Sequence, residues 1–538
     1  EKLLAQMNTF QPETRNSFEG VLSWLHQWAC ARSYGLGSKL PWDPQFLVES
    51  LSDSTIYMAY YTVAYMLQGG VEDGSVVGPL GIKADDMTDE VWDYVLGGGE
   101  FPTNSPVPRE KADLMRREFL YFYPMDLRSS GKDLINNHLT FCIYNHAALF
   151  PEELWPRGMR ANGHLMLNGA KMSKSTGNSL SLRQAVEKFG ADATRVSLAD
   201  AGDGIEDANF EEKTANANIL RLHTLIDWCT EMMQQVRENK LRTGALDSFW
   251  DKTFENEMNA AIVATHDAYE RAAYKEASKL GFYEFQSARD LYREATSDVG
   301  MHADLVRRWI ETQALLIAPI APHFAEHVWS TILGHETSVH KALFPQPTKP
   351  EDAAMTAAAQ YVRGTIKTIR DAEIAVTRRK AKGPSAPAKY EERKPKEVSI
   401  FVADAFPEWQ DVCVNAVQKH YDGASGRVDD VKVREEVAAA GLLKDKKAMP
   451  FVMAFKKRIA EFGPEMAFNR QLPFDETETL KASSGYLKKT LNFRDVHIES
   501  AKDALTRADE LQGKHGFDKH VVEGAEPGSP SFAFYNVE

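Results

Sequence analysis

Apolar residues recur at helical spacing along most of this chain. Ile56, Ala59, Tyr60, Val63 and Leu67 share one face of a helix predicted over about 50–68. Residues 1–70 read as helices with short breaks, and 23–37 is aromatic-rich and ends in glycines that suit close backbone approach. Residues 69–110 mix Gly, Pro, Asp and short helices, the texture of a surface insertion. From 119 the pattern changes to a β-like start over 121–128, a turn at Ser130-Gly131-Lys132-Asp133 and a helix to about 149. A strand is predicted from Ala161 to Leu167, then a polar loop over 168–178. Ser181-Leu182-Arg183-Gln184 has the form of a capping box, Gly190 that of a helix stop, and Asp192 that of a cap on a helix running to Gly202. Strand, turn, helix, strand, loop, helix is the order of a parallel nucleotide-binding sheet.

Beyond 206 the periodicity is almost purely helical, with long segments at 212–238, 250–279, 281–298 and 302–333. A further helix is predicted over about 352–380, and a linker from Gly383 to Lys396. Val398 to Val402 reads as a strand, with helices at about 406–420, 429–440 and 447–462. The expected architecture is an α/β nucleotide-binding part over 1–205 with an insertion at about 69–118. An all-α bundle over 206–345, a long helix and linker over 346–397 and a small α+β domain over 398–538 complete it.

Composition narrows the classes. A chain of 538 residues calls for about three or four domains. No apolar run is long enough to span a membrane. Four cysteines lie far apart, without the close pairing of a zinc site, and fit a reducing compartment better than a disulfide framework. A formal net charge of −14 argues against non-specific DNA binding, though local basic patches remain open to RNA. The candidate patch is Arg363, Lys367, Arg370, Arg378, Arg379, Lys380 and Lys382, which reads equally as an RNA contact or as a solvated helix end.

The most informative stretch is Lys171-Met172-Ser173-Lys174-Ser175, followed by Thr176-Gly177-Asn178. Two lysines three apart, on a loop between a strand and a helix, offer ammonium donors and backbone N–H groups to an anion. The fitting ligand is a polyphosphate: attack by a carboxylate on an α-phosphate builds negative charge that mobile lysines stabilise most in the transition state. A solvated basic loop is the bland alternative.

This loop resembles the signature of class I aminoacyl-tRNA synthetases. Its flanks, from Asn162-Gly163-His164-Leu165 to Gly190-Ala191-Asp192-Ala193-Thr194-Arg195, extend the resemblance. Trp28-Ala29-Cys30-Ala31-Arg32-Ser33-Tyr34-Gly35-Leu36-Gly37, Asp126-Leu127-Arg128 ahead of Gly131-Lys132-Asp133, and Asp207-Ala208-Asn209-Phe210 are similar to the leucine enzymes of the cytosolic eukaryotic and archaeal type. The resemblance implies that Lys171 and Lys174 are catalytic. It implies that Met172, Ser173, Ser175, Gly131, Asp133, His164 and Leu165 help bind ATP, and that His138 closes the leucine side-chain pocket. An N-cap for Asp133 and a packed core position for His138 are the structural alternatives. It further implies ATP with Mg2+ and no zinc, a cytoplasmic protein without membrane attachment, and leucine and tRNA(Leu) as partners, with multi-synthetase or signalling partners also open.

The His-x-Gly-His motif expected of the other half of such a site is absent from the sequence. The chain therefore reads as the C-terminal half, lacking the first catalytic half and the editing domain, and is expected to be inactive alone. A valine or isoleucine enzyme, or a non-catalytic leucine-dependent interaction protein, are the alternatives.

Overall fold

The computed structural model describes residues 1–71, 73–378, 390–423, 425–444, 446–470, 472–507 and 519–537. Arg379, Lys380, Lys382 and the start of the predicted linker lie outside the described residues. Two compact units are present: Glu1–Ile226 with Thr265–Lys279 and Ala318–Phe324, and Asp227–Ala264 with Leu280–Ile317 and Ala325–Glu538.

The first unit opens with helices Lys2–Gln6 and Pro12–Leu22, whose Leu3, Leu4, Met7, Phe18 and Val21 enter a core with Ile135, Leu139, Cys142, Met159 and Ala161. The predicted all-helical start is wrong for 31–48. Strands Ala31–Arg32, Lys39–Leu40 and Asp43–Val48 form an antiparallel ribbon there. Its turn glycines Gly35 and Gly37 adopt φ of 100° and 157°, which break helical periodicity. The helix predicted over 50–68 is present as two, Ser50–Asp53 and Tyr57–Leu67. The 69–110 stretch is more than a surface insertion: Ile82, Val91, Tyr94, Val95 and Val107 share a buried core with Val63, Met66, Ala112 and Met115.

Residues 121 and 122 are not β-like. They end helix Arg109–Phe122, which buries Ala112, Met115 and Phe119 on one face and leaves Tyr121 exposed. The helix stops because Tyr123 precedes a proline and takes extended backbone. Strand Arg128–Gly131 comes next and pairs in parallel with Met159–Asn162, joined through helix Thr140–Leu149. The predicted strand from Ala161 to Leu167 is broken at Gly163-His164, and Leu165–Leu167 pairs in parallel with Ala208–Phe210 instead. The latter strand lies inside a stretch predicted as helix. The parallel pairs are present, but as two small sheets rather than one.

Helix Leu182–Phe189 carries the capping box at Ser181 and Gln184 and stops at Gly190, as the sequence predicts. Asp192 does not cap the helix it belongs to, Ala191–Ala201, whose N-cap is Gly190. Its carboxylate instead accepts the backbone N–H groups of His323 and Phe324, at the start of helix Pro322–Glu326.

Further along the chain, the helices predicted over 250–279 and 302–333 are interrupted. Phe249–Glu270 ends before Ala272, which has φ of 54°, and Tyr274–Ser278 begins anew. Ala303–Ile317 ends ahead of Pro319, and Pro322 opens the next helix, because proline supplies no N–H. In the second unit, Ala353–Arg378 is one helix. Lys396–Val402 is the central strand of three, parallel to Asp495–Ser500 and antiparallel to Ser531–Asn536. The two outer strands escape sequence reading because polar residues interrupt one and Pro-Gly and Ser-Pro pairs precede the other. Helices Glu408–Lys419, Asp430–Ala439 and Ala448–Phe462 occur as predicted and bury Cys413, Val417, Val433, Val437 and Val452 together. No helix among the described residues is long and apolar enough to cross a membrane.

Candidate active site

The lysine loop hangs from a hairpin. Leu165–Leu167 turns through Asn168 and Gly169, with φ of 52° and 80°, into Ala170–Lys171. Positive φ at both central residues is the twist-matched hairpin turn, and Asn-Gly is the pair that adopts it most readily. The far end of the loop is pinned by Asn178, whose amide donates to the carbonyls of Lys171 at 3.2 Å and of Leu167 and Ala170 at 3.4 Å. Ser173 N–H donates to the Asn178 carbonyl at 2.8 Å, and the Ser173 and Ser175 hydroxyls lie 2.8 Å apart. Met172 is the foot of the loop, packing on the core of Leu167, Phe189, Phe210 and Ala215. Lys171 and Lys174 are exposed. The result is a fixed backbone that presents two cations to solvent, beside the capped helix Leu182–Phe189.

A second cluster ties the strand ends together. Lys132 Nζ donates to Asp207 Oδ1 at 2.7 Å, and the His164 backbone N–H donates to the same oxygen at 2.9 Å. The Lys132 bond, with the His164 N–H second, holds the Asp207 carboxyl below the usual carboxylate range. Asp133 is exposed on the single turn Lys132–Leu134 that follows the strand. A side chain at Gly131 would meet Asp133 Oδ1 at 2.5 Å, so glycine leaves that carboxylate its room. Leu165 stays part-exposed beside His164, one residue from the strand pairing with Asn209.

His138 is buried, 2% exposed. Arg128 Nη2 lies 3.1 Å from its Nε2 and Ser54 Oγ 3.0 Å from its Nδ1. A guanidinium only donates, so Nε2 is the bare nitrogen and Nδ1–H donates to Ser54. Arg128 also stacks over Tyr57, 5.3 Å from ring centre, and bonds its hydroxyl. Burial, then the Arg128 charge, push the imidazole below its usual range. His146 is likewise lowered by burial, with Nδ1 2.8 Å from the Cys142 carbonyl and Nε2 3.1 Å from Tyr123 Oη. Burial pushes the adjacent Cys142 thiol up to about 12, so it is no nucleophile.

The basic patch is not one surface of free charges. Arg363 is ion-paired with Glu257, and Arg370 donates to the Thr490 carbonyl at 3.4 Å. Lys367 and Arg378 are exposed.

Residues 127–233 match the family described as tRNA synthetases class I (M), and residues 251–389 the anticodon-binding domain of tRNA ligase. Residues 402–473 match the leucine–tRNA ligase, RagD-binding domain. A Schizosaccharomyces pombe protein named putative leucine–tRNA ligase, cytoplasmic, is 47% identical over 100% of this chain and 49% of its own length. The cytoplasmic leucine–tRNA ligase of Saccharomyces cerevisiae is 48% identical over 99% of this chain and 48% of its own length. That of Pongo abelii is 45% identical over 93% and 42%. The chain belongs to the leucine–tRNA ligase family. It spans about half the length of the curated relatives it matches.

Within this chain, sequence reasoning finds the lysine loop but not the contacts around it. Lys132, Asp207 and His164 each lie in a segment that resembles the family, yet nothing in their spacing says that one carboxylate oxygen joins them. Arg128, Ser54 and Tyr57 around His138 were equally silent. Gly163 is where the structure shows why the strand breaks. A Cβ there would lie 2.1 Å from the Glu206 carbonyl oxygen and 2.7 Å from Asp207 N, both backbone. Gly163→Ala is expected to push 206–207 away and cost about 1–3 kcal/mol of stability. Gly364→Ala, where nothing lies within 4 Å, is the control, and denaturant melts compare them.

The neutral histidines set a pH dependence. Protonation is easier in the unfolded chain, so their contribution to stability is full above the unfolded value of about 6.5 and falls as pH drops below it. His146→Gln is expected to flatten that decline in thermal melts; an unchanged slope contradicts it.

Proposed function

We propose that the protein containing this chain is a leucine–tRNA ligase. A leucine carboxylate oxygen attacks the α-phosphorus of ATP, and pyrophosphate leaves. A hydroxyl of the terminal adenosine of tRNA(Leu) then attacks the carbonyl carbon, and AMP leaves. The observation that carries this reading is the pinned loop presenting Lys171 and Lys174. Their charge offsets that building on the phosphoryl oxygens and on pyrophosphate. Ser173 and Ser175 supply loop hydroxyls to the phosphates, and the Met172, His164 and Leu165 backbone borders adenine. Asp133 accepts ribose hydroxyls in the room left by Gly131. The Lys132–Asp207–His164 cluster holds that ribose turn to the adenine strand. His138, neutral and fixed by Arg128 and Ser54, borders the leucine side chain. Magnesium arrives with the nucleotide.

In this reading, 1–205 supplies half of the catalytic domain, 206–345 the tRNA-binding bundle, 346–397 its long helix and linker, and 398–538 the C-terminal extension. Arg363, Lys367, Arg370 and Arg378 are exposed cations offered to tRNA, and the protein works in the cytoplasm. This chain alone, without the His-x-Gly-His half, does not form adenylate. Charging of tRNA(Leu) with leucine by the full-length protein is the expected result; failure to charge it, or charging with valine or isoleucine instead, overturns the proposal.

The match of 402–473 to a RagD-binding domain favours a second role for that segment, as a protein-contact module. Exposed Val412, Val431, Leu443 and Met453 give it apolar surface. Direct binding of RagD to the full-length protein, lost on Val431→Asp, is expected.

A further inference from the structure

The second unit contains an apolar groove that the proposed chemistry does not use. Its walls are residues 257–264 of helix Phe249–Glu270, the helical turns Lys279–Glu284 with helix Phe285–Ala295, and the first turns of helix Ala353–Arg378. It encloses about 700 Å³, and every residue that lines it belongs to that unit. Ala260, Ala261, Ala264, Leu280, Ala288 and Leu291 supply its apolar surface, and each keeps part of that surface in water.

The sequence explains why the groove stays open. Residues 257, 260, 261 and 264 share one helical face, and the last three are alanine. Their side chains are too short to fill the space toward Leu280 and Leu291. Beneath them Phe285 is fully buried, its ring stacked on Trp309 with centres 5.2 Å apart. A floor resting on close-packed rings does not collapse inward to close the gap.

Charge then divides the possible occupants. Glu257, Glu284 and Glu351 line the groove against one cation, Arg363. That cation is ion-paired with Glu257, and Glu351 accepts the Thr356 hydroxyl at 2.6 Å. Burial holds the Glu257 carboxyl above its usual range even with Arg363 attached. Three carboxylates to one guanidinium repel phosphates and attract ammonium and guanidinium groups, more strongly here than in open water.

We propose that this groove seats a basic amphipathic helix of a partner protein. Leucine-sized side chains at helical spacing lie over the alanines, between Leu280 and Leu291, in the helix-in-groove mode. Lysines or arginines flanking them reach Glu284 and Glu351. The alanines let the two helix backbones approach closely. The surface shares no residue with the lysine loop or with 402–473, and it stands apart from the ligase reading.

The probe is a fluorescein-labelled peptide of about 14 residues built of leucine and lysine, with the leucines on one helical face. It is titrated into the full-length protein and followed by anisotropy, beside a twin carrying glutamate in place of lysine. The lysine peptide is expected to bind at least about tenfold more tightly than its twin. The double change Glu284→Lys with Glu351→Lys is expected to weaken it about tenfold, and so is Ala288→Leu, which fills the floor without changing charge. Melting temperatures check folding, and Ala264→Leu replaces the floor variant if Ala288→Leu lowers its own. Equal binding of the two peptides overturns the proposal. So does a loss confined to the charge variant, which marks attraction to an acidic surface rather than seating in the groove. Displacement of the lysine peptide by a uridine oligonucleotide, bound more weakly by the same variants, makes this a nucleic-acid surface and overturns it as well.

Discussion

Lys174→Ala in the full-length protein is expected to cut leucine-dependent pyrophosphate exchange by about 10²–10³-fold, the cost of removing one preorganised charge-stabilising donor. The melting temperature should not move. Lys174 is exposed and belongs to the loop rather than to any core. The loop keeps its shape through groups the substitution does not touch: the Asn178 amide, the Ser173 N–H bond and the half-buried foot at Met172. The loss should appear mainly in kcat, because charge on the departing pyrophosphate develops in the transition state. Unchanged exchange in the folded variant removes Lys174 from the chemistry. A lowered melting temperature makes it a structural residue instead.

Asp251→Ala is expected to destabilise the second unit by about 3–5 kcal/mol, the penalty for breaking a buried ion pair from one side. Asp251 is 0% exposed, while Arg242 keeps 25% of its side-chain surface in water, which favours the lower end of that range. Arg242 donates both terminal nitrogens to the carboxylate, at 2.9 and 2.5 Å, and Tyr292 Oη adds a third bond at 2.5 Å. Burial alone raises this carboxyl; the bonds from Arg242, Tyr292 and Ser248 outweigh it and hold it low. The pair's contribution is therefore present above the unfolded carboxylate value, about 3.9, and is lost as pH falls through the lower folded value. Alanine leaves the guanidinium with only the Gly300 carbonyl and the Tyr292 hydroxyl as acceptors, and leaves the phenol without its carboxylate. Denaturant unfolding of both proteins measures the difference, and a change under about 1 kcal/mol contradicts the assignment.

What the sequence made legible was local. The capping box at Ser181 and Gln184, the stop at Gly190 and the lysine loop all follow from neighbours within a few residues, where side chain and backbone interact at fixed spacing. What it hid was long-range. Lys132 and Asp207 are far apart in sequence, and their bond exists only because parallel strands bring their ends together. The Asp192 misreading shows the same limit: an acidic residue in a first helical turn looks like a cap for its own helix, but this carboxylate serves Phe324. The break at Gly163 was hidden because the apolar alternation continues across it, and only the nearby Glu206 backbone demands a glycine. His138 was picked out by resemblance, yet its fixed tautomer depends on Arg128 and Ser54, on other elements.

The ligase reading is tested most directly by ATP–pyrophosphate exchange with the full-length protein, run separately with leucine, isoleucine and valine. Exchange driven strongly by leucine, and only weakly by the other two, is the predicted result. Exchange driven by a different amino acid, or by none, contradicts it.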